Sequence, residues 1–356
     1  MTFEAETRDV GPMQRTLALI KAASDVNRLR ILRLVDRMEL SVGDLAELTG
    51  LSQPSVSRHL AVLRGSGAVQ ERRVGARTLS RAASELPEPA DQLLAVLRST
   101  CSAPDFGFDA DLAALERLRS RRSDDRTARF DRLAGNWDAL RSALLGESLS
   151  PAEVCSLLVA PGQRWIDVGA GTGLLLPWLS ALAGPDGEVL AVEASQRMVD
   201  VARGRVAELS LSNVRVQQGD MSCLPAPDAW AEGLIFSLSL GHAEDLDVAL
   251  GEAARVLAPG ARLAIADLLP HDDRDLIDAL GQGFQGIDPQ ALAMRLASAG
   301  FDRVRRIAPS PAERPSRSEE ADRDALPRLE ALRMVARRSP DGASIGDATS
   351  GRARPR

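Results

Sequence analysis

The sequence predicts two domains of different class, a small α+β domain followed by a larger α/β domain with a mainly parallel sheet. Three observations predict it. At 356 residues the chain is long enough to bury two separate cores. A helix–turn–helix pattern followed by an arginine-bearing hairpin fills residues 14 to 81. Further on, an apolar run closes on Asp167-Val168-Gly169-Ala170-Gly171-Thr172-Gly173, and two later apolar runs close on Glu193 and Asp220.

Residues 1 to 12 read as a loose terminus. From Gln14 to Val35 the apolar residues Leu17, Ile20, Ala23, Val26, Leu29, Leu32 and Val35 fall at helical spacing. The run breaks near Ser24-Asp25-Val26, and Asp25 is placed to cap a second helix over 27 to 38. Ser41 with Asp44 three residues on is a variant of the capping box. Thr49-Gly50-Leu51 is a turn. Ser52 caps a further helix, Gln53 to Arg64, with Pro54 tolerated in its first turn. Val56, Leu60 and Leu63 face inward. Gln53, Ser55, Ser57, Arg58 and His59 are left on the outer and leading part. After Gly65-Ser66-Gly67, residues 68 to 79 read as a hairpin turning near Gly75, a wing.

Charge points the same way. Between Leu51 and Arg81 stand Arg58, Arg64, Arg72, Arg73, Arg77 and Arg81 against the single acid Glu71, in a chain of net charge −6. A basic stretch in an acidic protein suggests a polyanionic partner. The outer residues of the Gln53 helix are placed to meet base edges in the major groove of double-stranded DNA. Arg72, Arg73 and Arg77 would meet phosphate or minor groove. Singly each has a plainer reading: His59 as a surface or packing histidine, the arginines as a solvated face.

Residues 15 to 82 resemble the ArsR family of dimeric winged helix-turn-helix repressors. The resemblance is carried by Asp25-Val26-Asn27-Arg28-Leu29-Arg30-Ile31-Leu32, by Glu39-Leu40-Ser41-Val42-Gly43-Asp44-Leu45-Ala46, and by Leu51 to Leu60. It implies a DNA operator as partner and a homodimer formed through the first helix and a helix near 90 to 99. Many members sense metal through cysteines matching Glu39 to Leu45. No cysteine stands there, and no histidine lies between His59 and His242, so no metal site is expected.

Pro87-Glu88-Pro89 ends the wing, and Pro104-Asp105-Phe106-Gly107 interrupts the next helical run. Residues 109 to 147 look helical, with Leu112, Leu115, Leu118, Phe130, Leu133, Trp137, Leu140 and Leu144 as the apolar face. Arg119 to Arg129 reads as a solvated helix surface. Trp137 reads either as the lid of a pocket or as packing against the following domain.

The Asp167 to Gly173 stretch reads as a strand end, a tight glycine turn and a helix start. Without Cβ atoms in the way, backbone N–H groups approach a ligand closely there, and the helix N-terminus adds positive charge. By itself the turn is equally an ordinary strand-to-helix corner. The βαβαβ order would put Glu193 and Asp220 at the carboxyl ends of neighbouring parallel strands, where ligands bind in open α/β sheets. A dinucleotide-binding dehydrogenase is the competing reading, but its third glycine would stand one residue beyond Gly173.

With Val192-Glu193-Ala194-Ser195, Gly219-Asp220-Met221 and Ala254-Arg255-Val256-Leu257-Ala258-Pro259-Gly260, this region resembles class I S-adenosylmethionine-dependent methyltransferases. The resemblance implies a Rossmann-like, seven-stranded domain with S-adenosyl-L-methionine as cofactor and a small-molecule methyl acceptor. Gly169, Gly171 and Gly173 would pass close to the methionine part, and Asp167 would orient it. Glu193, followed by Ala194, would take the ribose hydroxyls. Asp220 would accept from the adenine amino group, with Met221 beside the ring. No catalytic residue is assigned; His242 and His271 read as a general base or as structural. Relatives of this two-domain arrangement carry a His-Asp pair and a later second histidine. Here His271-Asp272 keeps the pair and Gln282 replaces the histidine. That departure motivates an alternative, a repressor that senses S-adenosylmethionine or S-adenosylhomocysteine without catalysis. Strands at 301 to 307 and 328 to 336 would complete the sheet, with a flexible loop at 309 to 327.

Composition sets the remaining bounds. Cys101, Cys155 and Cys223 are odd in number and widely spaced, which suggests neither disulfides nor a cysteine metal site. No signal-peptide pattern and no run of about 20 apolar residues is present, so the expected location is cytoplasmic, without a membrane. The expected division is 13–100 for the DNA-binding and dimerisation domain, 101–150 for a helical linker or cap, 151–338 for the methyltransferase domain and 339–356 for a disordered tail.

Overall fold

A computed structural model describes residues 11–74, 77–83, 86–103, 106–145, 149–158, 163–271, 273, 277, 281, 285–308 and 329–340. The expected turn at Gly75, the chain break at Pro104-Asp105, Asp272, Gln282, the 309–327 loop and all but the first two residues of the expected tail lie outside them. The chain divides into two units, Met1–Ser123 and Asp124–Arg356.

The first unit begins with α1 (Pro12–Ala23) and α2 (Val26–Val35). Asp25 caps α2, accepting from the backbone N–H groups of Asn27 at 2.9 Å and Arg28 at 3.1 Å; such a cap stabilises by about 1 kcal/mol. A two-residue strand β1 (Leu40–Ser41), invisible to periodicity, leads into α3 (Val42–Thr49). The Ser41/Asp44 capping box forms, and Gly50 at φ 72° ends α3 in the left-handed region. Next come α4 (Gln53–Gly65), β2 (Val69–Val74), β3 (Arg77–Ala82) and α5 (Ala90–Ser102). The three strands form an antiparallel sheet in the order β1-β3-β2. Leu19, Ile31, Leu45, Leu60 and Leu94 are buried in its core.

A 25-residue helix, α6 (Asp109–Leu133), holds the division between the units. Its first half closes the core of the first unit through Leu115 and Leu118. Asp111, buried, takes both Nε and Nη2 of Arg30 at 2.8 Å, and Asp44 takes Arg122 at 2.8 Å. The arginines of this stretch are therefore engaged, not simply solvated as expected.

The second unit continues with α7 (Trp137–Leu145), α8 (Pro151–Ser156), β4 (Arg164–Val168), α9 (Leu176–Ala183), β5 (Glu188–Glu193), α10 (Gln196–Glu208) and β6 (Val214–Gln218). β7 (Ala231–Ser237), α11 (Leu246–Val256), β8 (Leu257–Leu268), α12 (Pro289–Ser298), β9 (Phe301–Arg306) and β10 (Ala331–Arg338) follow. The strands form one seven-stranded sheet in the order β6-β5-β4-β7-β8-β10-β9. β10 is antiparallel to β8 and β9, while the pairs from β6 to β8 are parallel. The chain leaves β4 towards β5 and β6, then returns to the other side at β7. That reversal is the switch point at which an open α/β sheet forms a crevice.

Both sheet faces are covered, which suits strands that are apolar throughout. Trp165, Val189 and Ala264 face one core; Ile166, Leu190 and Phe236 face the other. Trp165 is paired in register with Gly233, and a Cβ at Gly233 would lie 2.1 Å from the indole. Glycine in mid-strand here makes room for the largest buried side chain. No helix among the described residues is long and apolar enough to cross a membrane.

Candidate functional site

At the switch point lies a cleft enclosing about 910 Å³ of empty space, open mouth included. Its floor is the turn after β4. Gly169, Gly171 and Gly173 have φ of 72°, 55° and 78°, a region that side chains disfavour. A Cβ on Gly169 would lie 2.4 Å from that of Ser239, and one on Gly173 2.8 Å from Leu176. A Cβ on Gly171 would instead point towards the Trp137 indole at 3.5 Å, across the cleft.

Asp167 lines the cleft from the end of β4 and is almost completely buried. Neither of its carboxylate oxygens has a hydrogen-bond partner among the described residues. Burial, and then the charge of Glu193, push its pKa up to about 7. A buried carboxylate without a partner is costly, and a cation in the cleft would relieve it.

Glu193 ends β5, half-buried. Its oxygens accept from the backbone N–H groups of Gly171 and Ser195, each at 2.9 Å. The carboxylate therefore ties the glycine turn to the neighbouring strand end and keeps lone pairs for a ligand. Burial raises its pKa against the lowering effect of those N–H groups. Ala194 lies beside it in the lining. Asp220, after β6, accepts from Ser222 N–H at 2.8 Å, and its other oxygen lies 3.7 Å from the Arg126 guanidinium. Met221 lies next to it in the lining. All eight expected cofactor residues come together, although they span residues 167 to 221; Gly173 alone is not in the lining and acts beneath it.

Trp137 apart, the sequence missed the roof. The second half of α6, with α7, brings Arg126, Thr127, Phe130, Trp137 and Arg141 to the cleft. Asp131 accepts from the Ser195 hydroxyl and from Arg197 N–H at 3.2 Å. Asp138 accepts from the Thr172 hydroxyl and from Arg205 at 2.6 Å. Two aspartates thus strap the roof to the loops after β4 and β5. Phe130 lies edge-on to Trp137 at 5.7 Å and to His242 at 5.0 Å. Trp137 both lines the cleft and belongs to the core, so its two readings coincide.

The loop after β7 closes the far side. Ser239 donates to the Val168 carbonyl at 2.6 Å, and buried Asp267 accepts from Gly241 N–H at 3.2 Å. Burial raises the Asp267 pKa to about 6. His242, in this loop, lines the cleft; burial and then the charges of Arg126 and Arg129 hold its pKa down to about 3. It is neutral at physiological pH and a weak base. His271 does not line the cleft; its Nδ1 accepts from Asp273 N–H at 3.3 Å.

In the first unit, Gln53, Ser57 and Arg58 are exposed on α4, and Ser55 is half-buried. His59 is turned inward, half-buried, with Nδ1 4.0 Å from the Asp25 carboxylate. Arg72 on β2 pairs with Glu39 through Nη2 at 2.5 Å and Nε at 3.1 Å. Arg73, the last residue but one of β2, pairs with Thr78, and Arg77 opens β3 opposite Val74; nothing is described of their side chains.

Residues 25–71 match the family model of bacterial regulatory proteins of the arsR family, and residues 166–260 match that of the methyltransferase domain. Demethylmenaquinone methyltransferase of Symbiobacterium thermophilum is 32% identical over 137 residues, 37% of this chain and 55% of that protein. Arsenite methyltransferase of Halobacterium salinarum is 31% identical over 159 residues, 42% of this chain and 40% of that protein. A solved S-adenosylmethionine-dependent methyltransferase from Aquifex aeolicus is 24% identical with a TM-score of 0.43, covering 56% of this chain and 92% of that one. The chain spans about half the length of the curated relatives it matches. It carries an arsR-family helix-turn-helix followed by a Rossmann-like methyltransferase domain.

Proposed function

We propose that this chain is an ArsR-type DNA-binding transcriptional regulator joined to a methyltransferase that acts on a small molecule. The observation that carries the second half is Asp167, a buried carboxylate with both oxygens unpartnered among the described residues, lining a cleft beside Glu193 and Asp220. That donor set fits S-adenosylmethionine. Asp167 answers the ammonium of the methionine part, Glu193 the ribose hydroxyls, and Asp220 the adenine amino group beside Met221. Bound there, the cofactor supplies an already activated methyl group on sulfur. The chain's own work is to orient the acceptor and exclude water, and Phe130 and Trp137 in the roof serve both ends.

Of the acceptors named by the relatives, the cleft favours a ring over arsenite. Phe130, Trp137 and Leu238 line it and no cysteine does, whereas a soft arsenic centre calls for thiolates. Burial and the nearby arginines push the pKa of His242 in the lining down to about 3. Gln282, standing where relatives of this arrangement carry a histidine, favours a second reading, a regulator that binds the cofactor or its demethylated product without turnover.

For the first half, exposed Gln53, Ser57 and Arg58 on α4 are the base-reading candidates, with Ser55 at the rim and Arg72, Arg73 and Arg77 of the wing on phosphate. His59 serves better as a brace on the Asp25 cap. Met13, Leu17 and Ile20 are 73%, 49% and 50% exposed on one face of α1, and Val96 on α5 is 60% exposed. An apolar row of this kind supports a homodimer through these helices.

Operator titrations with and without S-adenosylmethionine and S-adenosylhomocysteine, paired with a search for methylated product, test the whole. Methylation of a ring acceptor supports the enzyme. No product, together with ligand-dependent operator affinity, supports the sensor. Absence of operator binding sinks both.

A further inference from the structure

The outer edge of the second unit's sheet carries a cluster of cations that the cofactor site does not use. Arg262 on β8 and Arg337 on β10 stand directly opposite each other in the antiparallel ladder. Like charges in that position destabilise a sheet. Arg305 on β9 is paired with Val335, and Arg303 lies two residues before it. These four arginines, with Val335 and Ala336 as an apolar floor, line one groove. Burial, then the charges of Arg337 and Arg305, lower the Arg262 pKa, so the cations feel one another. Among the described residues, Arg303, Arg305 and Arg337 make no ion pair, and Asp302, cross-strand from Arg337, makes none with it.

The backbone is bent at the same place. The β9/β10 register shifts between Val335 and Arg337, and Arg303 adopts φ 49°, a left-handed value for a side-chain-bearing residue. Bulges of this kind re-aim side chains. Edge strands do carry charges that ward off pairing with other sheets. Such a guard needs charge on the edge strand β9 alone. Here the cluster reaches two strands inward to β8, where repulsion costs stability and protects no edge.

We propose that this groove is a docking surface for the phosphate backbone of a nucleic acid, held without regard to sequence. The spread of the cations sets the ligand class. Strands about 4.8 Å apart and residues about 6.7 Å apart along a strand distribute the four guanidinium groups over roughly 10 Å. That is too wide for one phosphate and suits a run of them, since each DNA strand carries a charge per roughly 3.4 Å of axis. Arginine's planar fork matches phosphate oxygens.

The test uses the full chain, a mixed-sequence DNA duplex and fluorescence anisotropy over a range of salt. The variants are Arg303→Gln/Arg305→Gln/Arg337→Gln, the charge-keeping lysine triple, and Arg58→Ala. In the glutamine triple the slope of log affinity against log salt should flatten by about two to three, with at least a tenfold loss at low salt. The lysine triple should keep most of the binding. Arg58→Ala should retain this salt-dependent part, which separates it from the α4 reading. Calorimetric binding of S-adenosylmethionine by each variant checks that the second unit is folded. A folded glutamine triple that binds the duplex like wild type overturns the proposal. So does a duplex displaced equally well by polyglutamate or by inorganic phosphate at matched ionic strength, which would mark a general anion site.

Discussion

The two candidate regions present themselves to the proposed ligands in opposite ways. On α4, Gln53, Ser57 and Arg58 are exposed to water, and among the described residues Arg58 is tied only to its own helix, through the Pro54 carbonyl at 3.3 Å. In the cleft, Asp167 is buried without a partner and its pKa is pushed up to about 7. The first region has polar groups already satisfied by solvent, and a ligand must compete with water for them. The second holds a charge that the folded chain would be more stable without. Surface recognition is therefore nearly free in stability, whereas the interior site is preorganised at the expense of the fold.

Four experiments sharpen or break that contrast, taken from the largest effect to the smallest. Gly171→Arg places a long side chain across the cleft towards Trp137 in a left-handed backbone position. Calorimetry should register no S-adenosylmethionine binding, while duplex binding by the first unit persists. Arg58→Ala should weaken operator binding by about 1–3 kcal/mol, roughly 5- to 150-fold, without lowering the melting temperature. His59→Ala should do the reverse, with a small effect on the operator and a measurable loss of stability, because His59 faces the Asp25 cap. Equal operator losses in both variants would break this distinction.

The third concerns pH. The folded pKa of Asp167, about 7, lies above the unfolded value of 3.8. Its protonated form is therefore favoured by folding. The stability it contributes is fully present below about pH 3.8 and is lost as pH rises through 7. A bound ammonium needs the carboxylate, so cofactor affinity should rise about tenfold per pH unit up to 7 and then level. Asp167→Asn should flatten that profile, weaken binding and stabilise the free protein above pH 7. A profile unchanged in Asp167→Asn would remove Asp167 from the ammonium role. The fourth is Asp138→Ala, which cuts the strap from the roof to Thr172 and Arg205. It should weaken the cofactor by about 1–2 kcal/mol in calorimetry and leave operator binding unchanged.

Legibility in the sequence followed the range of the interactions. The Asp25 and Ser41 caps, the glycine turn and the strand-end acids depend on neighbours a few residues away, and each stood where its pattern put it. The wing strands, read as an arginine-bearing hairpin, and the last two strands of the large sheet also stood close to where the sequence put them. Trp137 apart, the roof was not legible. Arg126 and Phe130 sit on a helix with a weak apolar pattern, and their places are fixed by partners more than sixty residues off, such as Ser195 for Asp131 and the His242 carbonyl for Arg126. For His59 the sequence left base reading and packing open, and its partner, the Asp25 cap of α2, decides for packing. β1 escaped because two residues carry no period.

The roof also gives the protein a light of its own. The chain has four tryptophans and no tyrosine. Trp165 is sealed in the core and Trp178 is 48% exposed, while Trp137 faces Gly171 across the cleft. Excited near 295 nm, the emission of Trp137 should therefore report occupancy of the cleft directly, with the Trp137→Phe variant as the silent reference. Ligand affinity can then be followed in the unlabelled protein while it sits on DNA.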